Sequence, residues 1–427
     1  SPKGGGTIYE DVNMLSDYRK NGFNGDGEST EFHLDTQSID SVLSIMVNDS
    51  SIGSEEYSVD LTRGIITFNN APSKPLTDGQ DNVIIQFKKT VSGERAKIEK
   101  CTLLEVFDNR VFFSGNPDYP NMLWHCALND PTYCRDTDYY TEGVDDGAIK
   151  ALVAGNNALW VMKEPSQTNT TIFYHNPTID DEEGKIYPSI NSSISTGCVS
   201  VGINFNDDIC FFSERGLEAI SGDVTTEQVL QHRSALVDNK MLNEANYKKV
   251  KLAEWEGYLL AFIDNKVYLA DSRNMVTNNN HREYEWFYWE LNESVTSTYV
   301  KDEVLFLCAN KKIYTLTNTR EDRTVQAYWT TMADEFGFPQ LYKISNKKAY
   351  VIDGTGTEIK LEIKKDYNNF SNIGVFTTYQ KNIDKGYFKA KVKAKKFKSL
   401  QQRFSSNKPF SLVSFTSEAY LGSVVKR

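Results

Sequence analysis

Five histidines (His33, His125, His175, His232 and His281) are the side chains best able to move protons near neutral pH, and they are scattered over different apolar runs and loops. No His-x-x-x-His or His-Glu-x-x-His spacing sets two of them on one face for a metal ion. No Gly-x-Ser-x-Gly elbow presents a serine, and no Cys/His neighbourhood suggests an activated thiol. The run Asp180-Asp181-Glu182-Glu183 could serve acid–base work or hold calcium, but it lies between Pro177 and Gly184, where like charges in a loop stay solvated. The triplet Gly4-Gly5-Gly6 lacks the Lys and Ser/Thr that a phosphate-cradling loop needs after its last glycine. We therefore assign no catalytic, cofactor-binding or metal-ligating residue, and an enzyme is not expected.

The remaining composition narrows the class. The net charge of -11 and pI near 5.2 oppose general nucleic-acid binding, which needs a basic face. Six cysteines (Cys101, Cys126, Cys134, Cys198, Cys210 and Cys308) stand far apart without a Cys-x-x-Cys pair, several in apolar strand contexts. That is the pattern of inert buried thiols made in a reducing cytoplasm. No apolar run approaches the roughly 20 residues of a membrane helix and no signal pattern opens the sequence, so a soluble protein is expected. The sequence starts at Ser1 without Met, so processing or further residues upstream are expected.

The elements that would position any site read as all-β. With 23 Tyr, 23 Phe and 6 Trp, short apolar runs alternate with Asn, Asp and Gly. Residues 1–22 form a leading segment. Residues 23–90 carry short alternating strands around Gly25-Asp26-Gly27 and Thr62-Arg63-Gly64, the text of a small immunoglobulin-like sandwich. Over 91–325 a turn followed by a core strand recurs at Asn109, Asn157, Asp207, Gly257 and Asp302, at separations of 48, 50, 50 and 45 residues. A second strand follows each, from Leu123, Ile172, Leu217, Val267 and Ile313. Short strands at this period are the signature of a β-propeller; five blades are visible, and flanking segments could supply a sixth or more. Residues 326–427 read as a separate β-rich domain, with Asp353-Gly354-Thr355-Gly356 as a hairpin turn. Within it, Lys385 to Lys398 alternates Lys with apolar residues. Its lysines Lys389, Lys391, Lys393 and Lys395 either block edge pairing of a solvated strand or form a docking surface for an acidic neighbour.

The stretch Asn109 to Tyr140 is the most distinctive. Its apolar strands alternate with two loops whose backbone is restricted by Asn, Asp and Pro. FFSGNPDYPNMLWHCALNDPTY (Phe112 to Tyr133), followed by TDYYTEGVDDGAIKALVAGNNALWVMKE (Thr137 to Glu164), resembles tailed-bacteriophage virion proteins of the tail-hub, packaged-DNA-stabilisation and tail-nozzle β-propeller type. The sandwich text from Phe23 also resembles the small modules that decorate such proteins. The likeness covers about residues 1–330, with departures at Cys126 and at Cys134-Arg135. It implies a non-enzymatic structural subunit of a phage tail or head-to-tail connector, assembled in the host cytoplasm into a ring, a hexamer, that becomes part of the virion. The portal, adaptor or other tail proteins would be its partners, and DNA would pass through without specific binding. Heterologous ring contacts suit shaped loops, which makes Asn116, Asp118, Tyr119 and Pro120 of the first loop, and Asn129, Asp130 and Tyr133 of the second, the candidate subunit contacts. Two other classes stay open: a phage host-recognition protein binding a cell-surface glycan, and a propeller lyase or hydrolase. Propeller enzymes of the sialidase type carry repeated Ser-x-Asp-x-Gly-x-Thr-Trp boxes, and none is present.

Overall fold

The computed structural model describes residues 13–77, 79–90, 95–180, 184–221, 229–278, 281–316, 327–353, 358–366, 368–377, 386–390, 394–408 and 410–422. The Gly4 triplet, most of the acidic run after Asp180 and the turn from Gly354 lie outside them. The chain divides into two compact units, Ser1–Thr317 and Asn318–Arg427.

The first unit opens with the sandwich. One sheet orders Tyr18–Phe23, Val83–Lys88, Ser41–Val47 and Ser50–Ser51; the other orders Glu31–His33, Ile65–Phe68 and Tyr57–Asp60. Alternation decides what goes inside: Val83, Ile85 and Phe87 are buried while Gln86 is exposed. Phe32 meets Phe23 and Phe68 edge-on, at 5.4 and 5.3 Å between ring centres. The first strand begins at Tyr18, so the leading segment contributes to the sandwich before residue 23.

Five antiparallel sheets follow, and they are the blades of a β-propeller. Blade 1 comprises Leu103–Phe107, Arg110–Ser114, Met122–His125 and Tyr139–Thr141; blade 2 comprises Ile149–Gly155, Ala158–Lys163, Ile172–His175 and Ser189–Asn191. Blade 3 comprises Gly202–Phe205, Asp208–Ser213, Gly216–Ser221 and Val229–His232, and blade 4 Lys251–Trp255, Tyr258–Ile263, Lys266–Asn278 and His281–Glu290. Blade 5 has three strands among the described residues: Val295–Lys301, Val304–Ala309 and Lys312–Leu316.

The turn that recurs in the sequence is the hairpin between the first two strands of each blade. Asp108-Asn109, Asn156-Asn157, Asn206-Asp207, Glu256-Gly257 and Asp302-Glu303 all hold positive φ at both residues. That conformation matches the twist of a tight hairpin and favours Asn, Asp and Gly. In blades 2, 3 and 4 the strand after the turn is buried at nearly every position, because its alternate residues face two neighbours. In blade 3, Phe211 packs with Trp160 and Met162 of blade 2, while Phe212 packs with Leu259 and Ala261 of blade 4. Phe112 and Leu123 join blade 1 to Leu159 and Val161 of blade 2, and Phe262 and Leu269 join blade 4 to Leu305 and Leu307 of blade 5.

The second unit packs the sheet ordered Ala327–Thr330, Leu400–Ser406, Glu358–Lys365, Ser371–Thr377 against strands Lys343–Asp353 and Ser411–Leu421. Tyr350, Ile359, Leu361, Phe397 and Phe404 form its core. Lys343 is fully buried, and its ammonium donates to the carbonyls of Phe338 (2.6 Å), Leu341 (3.0 Å) and Lys398 (2.7 Å). The basic stretch forms two strands, Gly386–Ala390 and Ala394–Phe397, both paired with Lys343–Asp353.

Candidate subunit interface

The two shaped loops were expected to meet a neighbouring subunit, and part of that expectation is corrected. Asn116 is 1 % exposed. Its amide donates to the Lys97 carbonyl at 2.7 Å and its oxygen accepts from the Asp118 amide at 2.8 Å, so it holds the loop to the helical turn Ala96–Glu99 that precedes blade 1. Asp118 is exposed and ion-paired with Lys100. Tyr119 leans edge-on against Trp124, 6.0 Å between ring centres, and the half-buried Pro120 accepts from the Ile149 amide at 2.9 Å.

The second loop serves the junction with the sandwich. Asn129 is exposed with φ +58°, and Asp130 accepts from both the amide and the hydroxyl of Thr132, at 3.0 and 2.6 Å. The loop is tied to the leading segment through Asn13, which donates to the Thr132 carbonyl at 3.1 Å and accepts from the Cys134 amide at 3.1 Å. The half-buried Tyr133 lines a polar cavity of about 370 Å³ between Lys20, Asn21 and Asp35 of the sandwich and Arg110 and Arg135 of blade 1. Of the docking lysines, Lys395 is exposed and Lys389 lies on the strand Gly386–Ala390. Lys391 and Lys393 lie outside the described residues.

Sequence reasoning missed the two ends of the blade array. The first strands of blades 1 and 2, 2 and 3, 3 and 4, and 4 and 5 pack side by side; among the described residues those of blades 5 and 1 do not meet in this way. On blade 1, the face away from blade 2 is covered over Phe113 and Trp124 by Met14, Ile98 and Cys134. Its inner edge stays open, with Leu104 66 % and Val106 65 % exposed. On blade 5, the face away from blade 4 presents Tyr299 at 48 % and Ile313 at 67 % exposure. The Tyr299 ring lies flat on Phe306, 4.6 Å between centres. Of these strands the sequence reading picked out the one with Ile313 and passed over Leu103–Phe107 and Val295–Lys301, and no sequence signal separates an outward residue from one facing a sixth blade.

One buried group invites comparison with a catalytic triad. Glu142 and His175 are both fully buried: Glu142 Oε1 lies 2.9 Å from His175 Nε2, Oε2 accepts from Ser189 Oγ at 2.6 Å, and His175 Nδ1 lies 2.8 Å from the Tyr187 carbonyl oxygen. The serine meets the carboxylate and not the imidazole, and both ring nitrogens are engaged, so no base faces a nucleophile. Lys163, 2 % exposed, donates to the Glu142 carbonyl at 2.8 Å and pairs with Asp145, whose carboxyl it holds below the usual range. The arrangement braces blade 1 against blade 2. Burial also pushes the Cys198 and Cys210 thiols up to about 12, which keeps them protonated and unreactive.

No family model matches the sequence, and no curated protein does. Among solved structures, an exo-beta-1,3-galactanase from Phanerochaete chrysosporium with beta-1,3-galactotriose is 8 % identical, with a TM-score of 0.29, over 74 % of this chain and 95 % of that one. BamB from Moraxella catarrhalis is 10 % identical, with a TM-score of 0.26, over 71 % and 99 %. A glycoside hydrolase family 43 arabinoxylan arabinofuranohydrolase from Bacillus subtilis is 9 % identical, with a TM-score of 0.20, over 75 % and 68 %. At such scores the likenesses carry no argument about activity; the blades stand on their own strand pairing.

Proposed function

We propose that this chain is a non-enzymatic structural subunit that joins copies of itself into a ring, a hexamer, within a phage tail or head-to-tail connector, forming a conduit that retains packaged DNA. The observation that supports it best is the pair of open end faces. Each of the four blade junctions buries one face of a blade against the next; among the described residues, the Leu104 and Val106 edge and the Tyr299 and Ile313 face are two unlike halves with no such cover. Two different patches on one chain make a heterologous contact, which closes into a ring when the rotation between copies permits. In such a ring each copy covers one of the two faces on the neighbour at either side. Leu104→Glu and Ile313→Glu place charge on each half. Mass photometry of the purified full chain should show a discrete oligomer that both substitutions reduce to monomer; a wild-type monomer at every concentration would sink the reading.

A further inference from the structure

A cavity of about 440 Å³ lies at the rim between blades 3 and 4, away from both end faces. Glu218 from the third strand of blade 3, His232 from its fourth, Asp238 from the connection and Glu283 from the fourth strand of blade 4 line it, with Arg215, Leu230 and Ala235. His232 is held between two acids, with Nε2 2.5 Å from Asp238 Oδ2 and Nδ1 3.3 Å from Glu218 Oε1. These contacts raise its pKa to about 9, Asp238 contributing most, so the ring is a cation at neutral pH. Asp238 Oδ1 also accepts from Ser234 Oγ at 2.6 Å, and Arg215 lies 3.4 Å from Glu218.

Glu283 differs from the others. It is 6 % exposed, and its Oε2 is buried without a hydrogen-bond partner. A desolvated carboxylate oxygen left unpaired opposes folding and is retained where something else completes it. With every group ionised, three carboxylates face two cations, so the lining carries one net negative charge. Gly216, at φ +135°, lets Ser234 and Asp238 pack against the backbone: a Cβ there would come within 2.5 Å of both Ser234 Oγ and Asp238 Oδ1.

We propose that this cavity binds an organic cation, an ammonium or guanidinium group on an alkyl stem, with Glu283 receiving the charge and Leu230 and Ala235 flanking the stem. The described acidic, His and Cys residues include no set able to hold a metal ion, which favours a hydrogen-bonding cation over a divalent one. A stem lying on apolar side chains with its charged end on a carboxylate is how lysine, arginine and polyamines are accommodated. The source is either a side chain of another polypeptide or a free polyamine.

Calorimetric titration of the full chain with Nα-acetyl-arginine methylamide, and separately with spermidine, tests this. Binding of at least one is expected below about 20 mM, with Glu283→Gln weakening it by about tenfold or more. A preference for the capped arginine assigns the site to a polypeptide side chain, and a preference for spermidine to a free polyamine. Because Ala235 is exposed at the rim, Ala235→Arg leaves the fold intact and supplies a tethered guanidinium; it should abolish binding of both probes. Without ligand, Glu283→Gln should raise the thermal midpoint by about 2 °C, since it removes an unpaired buried charge. Binding of neither probe, or equal binding by wild type and both variants, overturns the proposal. A lowered midpoint in Glu283→Gln overturns the assignment of Glu283.

Discussion

The blade junctions and the two ends of the blade array use the same strands to opposite effect. Between blades 2 and 4, Phe211 and Phe212 stand side by side in one strand and each disappears into a different neighbour. At the ends, Leu104 on the first strand of blade 1 and Ile313 on the third strand of blade 5 remain two-thirds exposed. A repeat whose every member needs two neighbours leaves two faces unsatisfied unless it closes or continues. Side chains in the junctions therefore support folding, whereas those at the ends are available for association.

The difference can be broken most severely inside. Trp160→Ala empties a fully buried site between blades 2 and 3 and should cost about 3–5 kcal/mol in chemical denaturation. At the braced junction of blades 1 and 2, Glu142→Ala leaves His175 Nε2 and Ser189 Oγ without their buried acceptor, an expected loss of about 3 kcal/mol. The His232 cluster gives a pH-dependent version. Its folded pKa, near 9, stands above the ordinary 6.5, so its contribution is fully present below pH 6.5 and is lost as pH rises through 9. The unfolding free energy should fall by of order 2 kcal/mol across that window after solvent screening, and the fall should shrink in Asp238→Asn. At the ends, Leu104→Glu and Ile313→Glu should leave monomer stability within about 0.5 kcal/mol while changing the oligomer. Smallest of all, Asp118→Asn with Asp130→Asn should leave the denaturation curve unmoved, because the Asp118 pair is exposed and Asp130 shapes only its own turn.

How much of this was legible follows from where each signal is written. The five turns could be read because positive φ at two successive residues selects Asn, Asp and Gly. The second strand of each blade could be read because residues facing two neighbours form an apolar run, as in Ala158 to Met162. First and fourth strands such as Lys251–Trp255 and Ser189–Asn191 are mixed in character and did not stand out. The loop from Asn129 to Tyr133 has a local shape that sequence shows, but its partner Asn13 lies more than a hundred residues upstream, and only the fold joins them. The same holds for Glu218, His232, Asp238 and Glu283, which come from three strands of two blades and the connection between those blades; no spacing rule unites them. The basic stretch read as one strand because Lys alternates through it, yet it pairs in two pieces along Lys343–Asp353.

The central claim is that the two end faces complete each other between copies. An electron-microscopy image of the purified full chain, beside Leu104→Glu and Ile313→Glu, tests it most directly. The account predicts closed rings for wild type, with blade 1 of one copy against blade 5 of the next, and dispersed monomers for each variant. Rings that persist in both variants, or that join through other surfaces, would contradict it.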